Sequence, residues 1–136
     1  MKKVLFFLGL VTILWAFQVQ AAVYDQDLYN QLPGVWKFTT SDGRTGNIIF
    51  PAKLWESGSH VPATIVFGGT GKSFTWGFRV PDSNRNWIDG NLSSPLPALP
   101  KVTKFLLIFK KDAAGKWIFS GNFYDTNISI TYGSKN

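Results

Sequence analysis

His60 is the only histidine of the chain, and Glu56 precedes it by four residues. A general base or a metal site needs groups of this kind to converge with others on one point. The eight acidic residues are scattered along the sequence, so no such convergence is indicated. We therefore expect His60 to lie in a solvated loop. The sequence predicts a non-enzymatic protein with no metal site and no cofactor.

The stretch Gly68–Lys72 (GGTGK) has the glycine and lysine content of a phosphate-binding loop. Such a loop joins a strand to a following helix, because the loop amides and the helix N-terminus bind the phosphates together. Here the flanking residues favour strands on both sides. The stretch therefore predicts a turn between two strands.

Aromatic side chains are the strongest candidates for ligand contacts, since they give an apolar pocket a large contact area at low entropic cost. Spacing at every second residue predicts an inner-face set made of Trp36, Phe38, Phe50, Phe67, Phe74, Trp76, Phe78, Phe105, Phe109, Trp117, Phe119 and Phe123. A small barrel has room for its own side chains or for one ligand. These rings therefore either fill the interior or line a pocket. In a pocket, the predicted ligand contacts are Trp55, Trp76, Phe78 and Trp87.

Short strands separated by turn signals must position these residues. Alternating apolar residues predict eight strands that begin near residues 34, 47, 63, 72, 86, 102, 117 and 128. The connections between them are too short for parallel crossovers. The sequence therefore predicts an all-β fold, an antiparallel eight-stranded up-and-down barrel, because closure removes exposed edges. A two-sheet β-sandwich is the alternative.

The N-terminal residues have the pattern of an export signal. Lys2 and Lys3 precede an apolar run over residues 4–17, and residues 19–21 (VQA) offer small side chains to a signal peptidase. The run is shorter than the roughly 20 residues that span a bilayer, so we expect no stable membrane insertion. The pattern predicts a periplasmic or secreted protein.

Three segments follow from these patterns. Residues 1–21 are predicted to be a signal peptide. Residues 22–33 form a short helical lead-in, since Tyr24, Leu28 and Leu32 recur at helical spacing before a Pro-Gly stop. Residues 34–136 form a single barrel domain.

The composition excludes some classes of function. The chain has no cysteine, which excludes thiol catalysis and thiolate metal sites and fits a bacterial exported protein better than a disulfide-built one. The formal net charge of +6 falls by two without Lys2 and Lys3. That surplus is too small for a nucleic-acid-binding stripe, so no nucleic-acid partner is expected.

Two longer connections carry apolar residues. Residues 51–62 contain Leu54 and Trp55, and the proline-rich residues 93–100 form an irregular, exposed loop with Leu96 and Leu99. Apolar side chains on loops either form a pocket rim or docking edge, or fold down to cover a barrel end. The sequence leaves both arrangements open.

Residues 32–36 (LPGVW) follow the lead-in and open the first strand. This G-x-W motif ahead of an eight-strand meander resembles the lipocalin and calycin-type barrels. The tight turn at 41–46 stands where lipocalins have a long loop, so the chain is most similar to a small bacterial lipocalin-like domain. The resemblance implies that Trp36 plugs the closed barrel end, often beneath a basic residue from a late strand. Function is then expected at the opposite end, in the longer loops.

Two functions are consistent with this reading. The first is a non-enzymatic barrel that binds a small apolar or amphipathic molecule in its mouth. The alternative is a protein-binding module, such as a protease inhibitor or an envelope- or host-interaction factor, that acts through its loops.

Overall fold

Eight antiparallel strands close into one barrel, in which each strand pairs with its neighbours along the chain and the first strand pairs with the last. This computed structural model describes residues 24–82 and 84–136, so the predicted signal peptide of residues 1–21 lies outside the described residues. The elements are helix α1 (Gln26–Gln31) and strands β1 (Gly34–Thr40), β2 (Thr45–Phe50), β3 (Trp55–Glu56), β4 (Ser59–His60), β5 (Ala63–Phe67), β6 (Thr70–Asp82), β7 (Arg85–Leu92), β8 (Lys104–Lys111), β9 (Trp117–Phe123) and β10 (Ser129–Lys135). The prediction of an antiparallel up-and-down barrel is confirmed over its sandwich alternative.

The strands alternate between buried inward and exposed outward side chains, as the period-2 pattern predicts. Eleven of the twelve aromatic residues predicted to face inward are buried, and Phe78 is half-buried. An eight-stranded barrel has room either for its own side chains or for one small ligand, and inward side chains buried this completely occupy that room here. The rings therefore fill the interior rather than line an open pocket.

Glycines make room for three of these rings. Gly46, Gly90 and Gly133 lie across from Phe38, Phe105 and Phe119 on neighbouring strands. A Cβ atom on any of the three glycines would collide with the ring opposite. Each phenylalanine therefore lies flat over a backbone that lacks a side chain, and this is how so many rings fit one narrow barrel.

Helix α1 covers one end of the barrel, and its leucines Leu28 and Leu32 are completely buried. The carboxylate of Asp25 caps its first turn by accepting hydrogen bonds from the amides of Asp27 and Leu28, at 2.9 and 3.2 Å. The Asp25 amide in turn donates to the side-chain oxygen of buried Asn86 in β7, at 2.9 Å. The helix is therefore fixed to the barrel by polar contacts as well as by its leucines.

The connection between β7 and β8 covers the other end. Leu96, Leu99 and Val102 are at most 4 % exposed, although an exposed loop was predicted here. Arg44 lies in the β1–β2 turn and donates a hydrogen bond of 3.3 Å to the carbonyl oxygen of Ala98, which holds the β7–β8 connection in place. Of the two arrangements that the sequence left open, the structure shows the leucines folded over the barrel end.

The connection between β2 and β5 contains a small hairpin, β3–β4, which the sequence did not predict. Its tight turn has positive φ at Ser57 (48°) and Gly58 (85°), the geometry of a two-residue turn that matches strand twist. Among the described residues, no helix is long and apolar enough to cross a membrane.

Candidate functional site

Six aromatic rings meet beside α1 and form what we call the aromatic cap: Tyr24, Tyr29, Trp55, His60, Trp76 and Phe78. They come from the segment before α1, from α1 itself, from the β3–β4 hairpin and from β6. β6 continues well beyond the residue that pairs with the start of β5, and the hairpin lies beside this unpaired part of its edge. The cap therefore brings together three of the four residues predicted to contact a ligand.

His60 lies at the centre of the cap. Its ring is 4.3 Å from the Trp76 ring, 4.8 Å from Trp55 and 6.3 Å from Phe78, measured between centroids. The solvated loop predicted for His60 is wrong, because the residue belongs to β4 and is half-buried. Burial disfavours the charged imidazolium and lowers the pKa of His60 below its usual value.

Trp76 and Phe78 anchor the cap to the barrel. Trp76 is 7 % exposed, and its indole N–H donates to the carbonyl oxygen of Val61 at 2.8 Å, just after the hairpin. Phe78 stacks on Tyr24 with 4.9 Å between ring centroids and 20° between planes. Through these contacts the two side chains stabilise the barrel end, and Phe78 stays half-exposed.

Trp55 is the member of the cap that faces solvent. Half of its surface (50 %) is exposed, the largest fraction among the exposed large apolar residues of the described chain. The hairpin pairs it with His60 across β3 and β4, and the two rings are perpendicular at 89°. One side of the indole is therefore held by the protein while the other is free to contact a partner.

One groove is lined by Trp55, and a second begins at the next residue, Glu56. The first, of about 380 Å³, runs between α1 and the β2–β3 connection and is lined by Tyr29, Asn30, Pro33, Ala52, Lys53, Leu54 and Trp55. The second, of about 310 Å³, follows the hairpin and is lined by Glu56, Ser57, Ser59, His60, Val61 and Pro62. Both lie outside the barrel wall. Together with Trp55 they form a surface, which we call the Trp55 surface, that combines apolar and polar groups.

Trp87, the fourth predicted contact, does not belong to this surface. It points outward from β7, where the Arg79 guanidinium lies 4.4 Å from its ring centroid and that of Arg85 lies 5.7 Å away. Arg79 is bound to Asp89 through two hydrogen bonds of 3.2 and 3.3 Å. The Trp87 indole N–H is buried and has no acceptor within the described chain. Its surroundings are a packed cation–aromatic cluster on the barrel wall.

The Trp55 surface lies at the same end as Trp36, whereas function was expected at the opposite end. Trp36 donates to α1 at Leu32, and Tyr29 of α1 contacts both His60 and Phe78, which places all of them together. Sequence reasoning also missed Tyr24, Tyr29 and His60 as members of the site. The Ser57-Gly58 turn signal, with Trp55 and His60 placed symmetrically around it, was the available indication of a hairpin.

The site combines aromatic rings with a few polar side chains. His60 has only aromatic rings as its close ring neighbours, and no group of three or more potential metal ligands occurs among residues 24–82 and 84–136. The half-exposed indole offers stacking area, and the polar side chains of the two grooves offer hydrogen-bonding groups near it. Comparison of the chain with protein-family models, with curated proteins and with solved structures gave no match.

Proposed function

We propose that this protein is an exported, non-enzymatic binding module that takes an amphipathic ligand on the Trp55 surface. The observation that carries the proposal is the half-exposed Trp55 ring, held against His60, lining one groove and followed along the hairpin by a second, on a barrel whose interior is filled. A ligand inside the barrel would have to displace buried rings. A ligand on the Trp55 surface displaces only water.

Two further features support parts of this proposal. The basic and apolar pattern of residues 1–21 supports export to the periplasm or beyond. Gly34-x-Trp36 at the start of β1, with the Lys135 ammonium of β10 about 6.0 Å from the Trp36 ring centroid, supports a lipocalin-like assignment. The indole of the G-x-W motif and the late-strand basic residue are the pair that the resemblance implies.

The test is NMR titration of the uniformly ¹⁵N-labelled protein with phenol, a small probe with an apolar ring and one hydroxyl. We expect the indole N–H of Trp55 and the amides of residues 52–60 to shift, while the Trp87 indole does not. Trp55→Ala should abolish these shifts. Tyr132→Ala removes a ring of similar exposure, 48 %, from the outer wall of β10 and should leave them intact.

The outcomes separate the alternatives. Shifts centred on interior residues such as Phe105 would instead support a ligand held inside the barrel. Absence of any saturable shift would contradict small-ligand binding. The protein-binding alternative uses the same exposed tryptophan, since Trp is enriched among residues that dominate protein interfaces. It predicts Trp55-dependent binding of a protein without a response to the small probe.

A further inference from the structure

The indole N–H groups of the described tryptophans differ in their partners, and that of Trp87 is buried without an acceptor. Those of Trp36, Trp76 and Trp117 donate to Leu32, Val61 and Asp27, at 2.8, 2.8 and 2.9 Å. The Trp55 indole N–H has no acceptor in the described part of the chain, and its ring is half-exposed. Trp55 therefore presents both an apolar ring and a free hydrogen-bond donor to solvent.

The shape of the surface restricts what can bind there. A wholly apolar molecule gains affinity by losing its contact with water, which requires an enclosing pocket that buries most of its surface. The grooves beside Trp55 are open and contain exposed polar residues such as Lys53 and Glu56. A suitable ligand must place one apolar face on the indole and keep its remaining surface hydrated.

We infer that the Trp55 surface binds a neutral oligosaccharide, with one pyranose ring stacked on the Trp55 indole. A pyranose has C–H groups on its faces and hydroxyls around its rim. It can therefore stack one face on the indole while its hydroxyls stay hydrated. The inference rests on the proposed function and specifies its ligand class.

The polar groups of the two grooves match hydroxyls in particular. The surface offers an acceptor in the Glu56 carboxylate and donors in the Ser57 hydroxyl and the Lys53 ammonium. The Asn30 amide oxygen and the Ser59 hydroxyl also line the grooves, but they already bond to Gln26 and to the Glu56 carbonyl, at 2.9 and 3.4 Å. A hydroxyl both donates and accepts, so a sugar can use all of these groups. A proline-rich peptide segment offers mostly acceptors and would give the Glu56 carboxylate no donor beyond Lys53.

The charges of the surface favour a neutral sugar. Lys53 and Glu56 lie 3.6 Å apart as an ion pair, and both side chains are more than half exposed. The pair leaves no net charge beside Trp55 to attract a sulfated or uronic-acid chain. Because the first groove is lined by Trp55 and the second by the residues that follow it, a chain of several rings can reach both grooves and a single ring cannot.

The experiment is titration with three neutral hexasaccharides, cellohexaose, maltohexaose and N-acetylchitohexaose, followed by calorimetry and by the Trp55 indole resonance. We expect at least one to bind with saturation. Trp55→Ala should weaken it by roughly tenfold to a hundredfold, as for an aromatic residue that dominates an interface. Trp55→Phe keeps a ring and should retain part of the affinity. Tyr132→Ala should retain all of it.

Each contrary outcome overturns the inference. If none of the three sugars binds at millimolar concentration, the surface does not take neutral oligosaccharides. Equal affinity of Trp55→Ala and wild type would place the site elsewhere, and tighter binding of hexagalacturonate would contradict a neutral ligand. If no sugar binds but phenol still shifts the Trp55 resonance, the inferred ligand class is wrong and the proposed binding function is still supported. If neither the sugars nor phenol bind, both the inference and the proposed function are contradicted.

Discussion

The indole N–H of Trp36 donates a hydrogen bond of 2.8 Å to the carbonyl oxygen of Leu32, where α1 ends and the chain turns into the barrel. Both side chains are buried. Lys135 donates to the carbonyl of Gln31 at 2.7 Å and lies near the Trp36 ring, so the last strand reinforces the same junction. One tryptophan therefore closes the barrel and fixes the helix beside the aromatic cap.

Replacing Trp36 by phenylalanine should destabilise the protein strongly. Trp36→Phe removes the only indole donor to the Leu32 carbonyl in the described chain and leaves a gap in the core. We expect the free energy of unfolding to fall by about 2–4 kcal/mol. Urea denaturation followed by far-UV circular dichroism measures it. Trp55→Phe, at the exposed ring, should change it by less than about 0.5 kcal/mol. Similar values for the two variants would show that the junction does not contribute to stability.

Gly121 of β9 is predicted to tolerate no side chain. A Cβ atom there would collide with the backbone carbonyl oxygen of Leu106 in β8, which no side-chain rotation can relieve. We expect Gly121→Ala to cost about 3 kcal/mol or more in the free energy of unfolding. Gly77→Ala is the matched control, since nothing lies within 4 Å of the added carbon at Gly77. Thermal unfolding of both variants checks this, and equal melting temperatures would refute the collision.

The loop that covers the second barrel end should contribute to stability through Leu96. The side chain is completely buried, and Leu96→Ala leaves a cavity at the barrel end. We expect a loss of about 2–4 kcal/mol in the free energy of unfolding. Val35→Ala shortens a side chain that is 37 % exposed on β1 and should cost much less. If the two losses were equal, Leu96 would not be packed over the barrel end.

His60 should titrate below the usual histidine pKa, because burial against Trp55 and Trp76 disfavours its charged form. The chain has one histidine, so its imidazole NMR signals can be followed without overlap. A lowered folded-state pKa means that the unfolded chain binds the proton more readily. The stability from neutral His60 is therefore complete above a pH of about 6.5 and decreases as the pH falls below it.

The titration of His60 can also be measured through the stability of the protein. Unfolding free energies at a pH of about 7.5 and about 5.5 should differ more for the wild type than for His60→Gln, which cannot titrate. A folded-state pKa at or above the usual histidine value would contradict the half-buried position of His60.

The barrel itself was predictable because its determinants are local. Period-2 burial in β1, the Asp42-Gly43 turn signal and the short connections act over a few residues each, and together they allow few alternatives to an antiparallel meander. The short lead-in helix could be inferred in the same way, since Leu28 and Leu32 lie four residues apart on one helical face.

The site depended on long-range packing that no local pattern encodes. Three stretches separated in sequence deliver the six rings to one place: Tyr24 and Tyr29, Trp55 and His60, and Trp76 and Phe78. The offset between β5 and β6 determines where the hairpin can lie. Periodicity also could not show whether the aromatic interior is filled, because that depends on which glycine lies across from each ring.

The sequence alone therefore determined the class of fold, the inward-facing aromatic set and the helix before the first strand, since each follows from spacing along the chain. Only the tertiary structure decided that both barrel ends are covered and that Trp87 lies apart from Trp55. It also placed the exposed indole at the same barrel end as the G-x-W tryptophan. Register and strand offset set these relationships, and a strand's register is defined only against its neighbours.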